Sequence, residues 1–171
     1  MTGGGSYALS DVEIVPGVDQ NGGWSWDAGL RVGRGAASLG LGYQRLRLDI
    51  GPGGTGTISA AYAEPRLGFG RGMWGVQPYL FARGARIFDY DVSFCCSAYP
   101  ANSNADGWIA GGGFGAAFAP IGTVRFDLSA GVQRLLGESD ETNFGSWKGA
   151  GPMIDVRLGA SIPLTRGYGM R

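Results

Sequence analysis

The stretch Trp24-Ser25-Trp26-Asp27-Ala28-Gly29-Leu30-Arg31-Val32-Gly33 separates at period two. Its even positions are Trp24, Trp26, Ala28, Leu30 and Val32, and its odd positions are Ser25, Asp27, Gly29, Arg31 and Gly33. A strand sends successive side chains to opposite faces, so this segment has one apolar and one polar wall. The pattern returns along the chain. Ala61, Ala63, Pro65, Leu67 and Phe69 interleave with Tyr62, Glu64, Arg66 and Gly68. Further apolar rows are Trp74 to Ala82, Trp108 to Phe118, Val124 to Val132 and Ile154 to Ile162, each read at every second residue. None of these rows contains a charge.

Two segments are less regular. Between Tyr7 and Val15, Val12 and Ile14 oppose Asp11 and Glu13. Leu39, Leu41 and Tyr43 hold the odd parity, whereas Leu46, Leu48 and Ile50 hold the even one, which predicts a bulge near Gln44 or Arg45. Eight strands result, at about 7–15, 24–34, 37–50, 55–69, 74–90, 108–118, 123–136 and 152–164. Short links fall around 35–36, 70–73 and 119–122, and long ones at 16–23, 91–107 and 137–151, with 51–54 a short exception. An up-and-down meander therefore has tight turns at one end and loops at the other, the asymmetry of a transmembrane barrel. The expectation is an all-β protein, one domain over residues 1–171, built as an eight-stranded antiparallel up-and-down transmembrane β-barrel.

Alternation alone fits any antiparallel sheet with one covered face. Composition decides between them. Of 171 residues, 34 are glycine and 16 % are charged, far from the roughly 7 % and 25 % of an ordinary soluble domain. The polar parity carries Asp11, Glu13, Asp27, Asp49, Glu64, Asp127 and Asp155 against Arg31, Arg45, Arg47, Arg66, Arg83, Arg125 and Arg157. Matched charges among small residues suit a closed interior in which arginine forks meet carboxylates. Hence Asp27, Arg31, Glu64, Arg66, Arg83, Arg125, Asp127, Asp155 and Arg157 are expected to form a charge network in the lumen. The apolar parity would then face lipid, with Trp24, Trp26, Trp74 and Trp108 at strand starts, where interfacial aromatics gather. An eight-stranded barrel leaves room only for side chains, so the lumen is expected to be plugged. Within it, the rings of Tyr79 and Phe81 should lie over Gly111, Gly113 and Gly115 of the neighbouring strand. Pro65 and Pro78 lack amide donors and come out opposite each other in this register, which predicts a break in the ladder there.

Several function classes drop out. With 14 basic and 14 acidic residues and no basic cluster, there is no electrostatic footprint for nucleic acid. With no histidine, triad and imidazole chemistry are absent, as is a His-ligated zinc site. The glycine strings at 51–54 and 111–113 lack the lysine and following helix of a phosphate cradle. No catalytic residue, cofactor site or metal site is expected. The first residues, Met1-Thr2-Gly3-Gly4-Gly5, carry no signal-peptide pattern, so an exported form would be a mature one.

The pattern resembles the small eight-stranded outer-membrane barrels of Gram-negative bacteria, the OmpA-type and opacity-type surface-antigen families. The resemblance runs from about Tyr7 to Leu164. It lies in Val76-Gln77-Pro78-Tyr79-Leu80, Gly111-Gly112-Gly113-Phe114-Gly115 and Val124-Arg125-Phe126-Asp127-Leu128. Such families usually end on an aromatic residue, whereas this sequence ends Tyr168-Gly169-Met170-Arg171. The resemblance implies a bacterial outer-membrane location, contact with outer-membrane lipid, and a non-enzymatic role as a structural, surface-display or interaction protein.

Loops on a rigid scaffold commonly carry recognition. Phe94, Cys95, Cys96 and Tyr99 in one long loop, and Phe144 and Trp147 in the last, are the candidates for contact with another envelope protein or surface partner. The adjacent cysteines could form a vicinal ring, link to another chain or stay reduced. Glu138, Asp140 and Glu141 read as solvated acids. The alternative reading is a binding barrel for a small apolar ligand, either lipocalin-like or a membrane conduit with a side opening near Pro65 and Pro78.

Overall fold

A computed structural model of the chain describes residues 2–10, 20–34, 36–50, 54–70, 75–94, 101–103, 107–121, 124–136 and 152–162. The described elements are β1 (Thr2–Ser10), β2 (Gln20–Arg34), β3 (Ala37–Ile50), β4 (Gly54–Gly68), β5 (Gln77–Phe94), β6 (Ala101–Ser103), β7 (Gly107–Ile121), β8 (Val124–Leu136) and β9 (Met153–Ser161). Each long strand pairs antiparallel with its sequence neighbours, and β1 with β9 completes the ring. Among the described residues the short β6 pairs only with the far end of β5, at Tyr90 to Val92. The architecture is the expected eight-stranded up-and-down barrel.

The ladder fixes the barrel's geometry. Followed across hydrogen-bonded partners, Gly107 leads to Ile87, Ala60, Gln44, Asp27, Gly4, Gly159, Asp127 and back to β7 at Ala117. One circuit therefore returns ten residues along the same strand. With eight strands about 4.8 Å apart and a rise of about 3.3 Å per residue, that stagger tilts the strands by about 40°. One residue along a strand climbs about 2.5 Å along the barrel axis.

Apolar side chains point outward through most of this wall. Leu128 and Val156 are 52 % and 44 % exposed, whereas Asp127 and Arg157, their sequence neighbours, are 9 % and 6 % exposed. Trp24, Trp26, Leu30, Val32, Leu39, Leu41, Leu80 and Leu158 share the outer face.

Four details differ from the sequence reading. The first strand begins at Thr2 rather than at about Tyr7, because three consecutive glycines, Gly3 to Gly5, pair in register with β2 and β9 although they show no alternation. The segment with Val12 and Ile14 lies outside the described residues. There is no bulge at Gln44 or Arg45: the pairing of β3 with β4 is continuous from Ala37 to Ile50. Register shifts fall instead between Ser59 and Ala60, where β5 inserts Phe88 as the extra residue, between Gln20 and Gly23 on β2, and between Phe118 and Ile121 on β7. Pro65 and Pro78 are not opposite each other. The ladder between β4 and β5 is interrupted at Glu64 and Pro65, next to Ala82 and Arg83, while Pro78 lies at the turn and accepts a hydrogen bond from the Phe69 amide at 2.9 Å. A break is present because Pro65 has no donor to offer, but only one proline makes it.

The parity switch on β3 has a different cause from a bulge. Leu46 and Leu48 point inward with Gln44, while Arg45 and Arg47 point outward, so these two arginines do not belong to the lumen. At this level the two faces exchange roles. Leu46, Leu48, Ile58, Ala60, Ala85, Ile87, Tyr90, Ile109, Leu135 and Met153 fill the interior as one apolar cluster, whereas Arg45, Arg47, Arg86 and Arg134 stand exposed on the outside. The strands keep their pleat and change surroundings: below this collar the outer wall is greasy, and above it the inner one is.

Candidate functional site

The centre of the lumen is one carboxylate. Glu64 projects inward from β4 and is completely buried. Its Oε1 receives Arg31 Nη2 at 2.6 Å from β2 and Arg66 Nε at 2.7 Å. Its Oε2 receives Arg83 Nη2 at 2.6 Å from β5 and Arg157 Nη1 at 2.9 Å from β9. Four guanidiniums thus converge on a single side chain, and three further acids balance them. Asp27 pairs with Arg83 at 3.1 Å, Asp127 with Arg66 at 3.4 Å, and Asp155 with Arg157. Taking charges out of water is costly, and a network can hold them only when each is paired and hydrogen-bonded. Here four bases meet four acids.

Neutral side chains complete the layer. Gln44 accepts from Arg83 Nη1 at 3.0 Å, the Tyr79 hydroxyl donates to Asp127 at 3.2 Å, and Gln133 donates to Asp155. Rings cover the guanidinium faces: Arg83 lies 4.0 Å from the Tyr62 centroid, Arg66 4.4 Å from Tyr79, and Arg157 5.4 Å from Phe81. Stacking of this kind lets an arginine be desolvated while keeping a favourable partner on its π face.

Glycines make room for these rings. A Cβ on Gly115 would run into the ring of Tyr79, and one on Gly131 would meet Phe81 Cζ at 2.9 Å. Rings over glycines were expected, but Phe81 reaches past β7 to a glycine of β8. Tyr62 similarly lies against Gly29 and Gly42.

Of the residues named from sequence for the lumen, Asp27, Arg31, Glu64, Arg66, Arg83, Asp127, Asp155 and Arg157 come together. Arg125 does not: it stands exposed at the short-turn rim, where its carbonyl accepts a weak hydrogen bond from Ser161 at 3.3 Å. Gln44, Gln133, Tyr62 and Tyr79 were not named for the network. Their inward parity was the available signal, and at Gln44 the supposed bulge obscured it. Cys95, Cys96, Tyr99, Phe144 and Trp147 lie outside the described residues, and of Phe94 only the backbone is described.

Two further features border the network. Above it, the apolar cluster closes the bore. Beside it, the interrupted ladder at Pro65 underlies a groove of about 670 Å³ on the outer wall, lined by Val32, Leu39, Pro65, Leu67, Leu80 and Ala82. Arg66 and Phe81 also line it, so its inner side meets the network rather than an open bore. Among the described residues no group of three or more acids, cysteines or histidines is placed to hold a metal ion.

Closed pairing, an apolar outer wall and a charge-filled interior define the class: a small transmembrane β-barrel. The crystal structure of Neisserial surface protein A (NspA) is similar, with a TM-score of 0.67 over 94 % of this chain and 94 % of that one, at 14 % identity. At that identity the likeness is one of fold. No protein-family model and no curated protein matches the chain.

Proposed function

We propose that the chain is a non-enzymatic β-barrel of the bacterial outer membrane, closed to solutes, that acts through its loops or its lipid-facing wall. The observation that carries this reading is the opposition of faces: apolar residues cover the outer wall while Glu64 and its four arginines fill the interior. A solute path would have to pass both the ion-pair layer and the apolar cluster above it. Likeness in fold to a bacterial surface protein supports a surface role, and the placement of long loops at one end supplies the means. The surface-antigen resemblance of the sequence points the same way.

The test is reconstitution. The purified chain should need detergent or lipid to stay dispersed, should migrate differently on gels before and after boiling, and should show no steady conductance in planar bilayers. A large, persistent open current would overturn the closed lumen. Replacing residues 95–104 and 138–148 by short linkers should abolish contact with any surface partner while leaving the barrel folded. Unchanged binding after both replacements would sink recognition by the loops.

One observation favours a second reading, a conduit for an apolar ligand with a side opening. The groove at Pro65 sits where β4 and β5 lose their hydrogen bonds. A fluorescent fatty acid would separate the two: saturable binding abolished by Leu80→Trp would support the conduit, and partitioning indistinguishable from that into protein-free micelles would remove it.

A further inference from the structure

We propose that the groove at Pro65 docks a fatty acid, with its tail along the outer wall and its carboxylate reaching Arg66 through the gap between β4 and β5. The proposal rests on the second reading above, that this groove takes an apolar ligand. It names the class of that ligand as a single-chain carboxylic acid, which docks and does not pass through. The gap comes first. Ala63 with Gly84 and Arg66 with Phe81 are the paired residues that flank it, so the ladder lapses where Glu64 would meet Arg83 and Pro65 would meet Ala82. At about 3.3 Å per residue the flanking pairs stand about 10 Å apart. An opening of that length suits a planar carboxylate at the end of one chain, not a phosphodiester that carries two.

The groove has a floor and a side. Pro65 and Ala82 are short and lie level with the gap, and Val32 and Leu39 continue their rank on β2 and β3. In the next rank toward the turns Leu67 pairs with Leu80, and each is 50 % exposed. Toward mid-wall the rank is Ala63 with Gly84, where a Cβ on Gly84 would meet nothing within 4 Å. A slot of about 670 Å³ therefore lies in the greasy part of the wall, lined by leucine side chains and continued by a smooth surface. That is the shape and polarity of a site for a hydrocarbon tail.

Its inner end is cationic. Arg66 has inward parity and still lines the groove, beside the lapse in the ladder. Its bond to Asp127, at 3.4 Å, is the longest ion pair among the described residues, and its side chain keeps 17 % exposure against 2 % for Arg83 and 7 % for Arg157. Arg31 adjoins it: Nη1 donates to Ser38, another groove residue, at 3.3 Å, while Nε is buried without a hydrogen-bond partner. Glu64 Oε1 thus gathers the two guanidiniums nearest the groove. A guanidinium binds a carboxylate through paired donors. An arriving carboxylate takes over the donor that makes the long bond to Asp127, and Asp127 retains the Tyr79 hydroxyl at 3.2 Å. An apolar slot that ends at a guanidinium is complementary to an anion with a hydrocarbon tail.

The experiment is displacement of a fluorescent fatty acid from the folded chain in non-ionic micelles, by palmitic acid and by methyl palmitate, at a pH where the acid is ionised. The two competitors share a tail and differ in the charge of the head. Palmitate should displace the probe at a concentration about tenfold or more below that of the ester. Ala82→Leu, which fills the slot from outside, should abolish saturable binding of both. Arg66→Gln should equalise acid and ester while leaving the ester's affinity within about twofold, and Arg66→Lys, which keeps the charge and loses the fork, should fall between. If Arg66→Gln does not refold, the ratio of acid to ester on the wild-type chain carries the test by itself. Equal potency of the two competitors, or a preference for acid that persists in Arg66→Gln, overturns recognition by Arg66 and leaves the groove as an apolar site. Absence of saturable binding by either competitor overturns both.

Discussion

Arg157 Nη1 donates to Glu64 Oε2 at 2.9 Å across the full width of the barrel, because β9 and β4 stand four strands apart whichever way the ring is followed. Most hydrogen bonds of a barrel join adjacent strands. This one is a strut across its diameter, and the pairs that Arg31, Arg66 and Arg83 make with the same carboxylate brace it from three other directions. The cross-section is thereby held from within as well as by its perimeter.

Glu64→Gln should be severe. Removing the charge leaves four buried guanidiniums facing three acids, and breaking a buried pair from one side typically costs about 3–5 kcal/mol. Urea unfolding of the reconstituted barrel, followed by tryptophan fluorescence, should show a loss of that size. Glu64→Asp, which keeps the charge but shortens the reach, should fall between the two.

The lipid-facing assignment can be tested on one strand. Leu158 lies near mid-height of the apolar wall and Ile154 lies near the collar, both exposed on β9. Leu158→Arg should destabilise the barrel by about 2–4 kcal/mol, and Ile154→Arg by about 0–1 kcal/mol, since the cost of a lipid-facing cation falls toward the interface. Equal costs at the two depths would contradict the assignment.

Above the ion pairs, Leu48 is fully buried within the apolar cluster. Leu48→Ala should cost about 2–5 kcal/mol in the same unfolding assay, as expected for a cavity in a packed core. A cost near zero would mean that the upper bore is not packed.

Gly115 is where the Tyr79 ring needs space. Gly115→Val should cost about 1–3 kcal/mol by overpacking, and part of that cost should disappear in a Tyr79→Ala background. Measuring the four corners of this cycle isolates the clash from the general effect of a bulkier strand residue.

Much of this was readable from residue order alone, and for a simple reason. From Trp24 to Val32 and from Ile154 to Ile162 the two faces meet two different media, so alternation marks both strand and orientation. Legibility failed where that contrast failed. Gly3, Gly4 and Gly5 have no side chains to alternate, so nothing in the pattern marks the start of β1. On β3 the parity of Leu46 and Leu48 suggested a slip in register, because one medium was assumed along the whole strand. The charged residues of the lumen were identifiable by parity, but their convergence on Glu64 was not, since partners on β2, β5 and β9 meet only after the ring closes with a stagger that residue order does not display. Arg125 shows the same limit from the other side: its parity was inward, yet its height puts it at the rim.

The exchange of faces at the collar also gives the molecule a waterline. Sinking by a single residue step would draw Arg45, Arg86 and Arg134 toward the acyl chains, and rising by one would lift Trp26 and Tyr43 out of them. Vertical position is therefore pinned from both directions, and whatever the loops present is held at a fixed altitude over the surrounding surface.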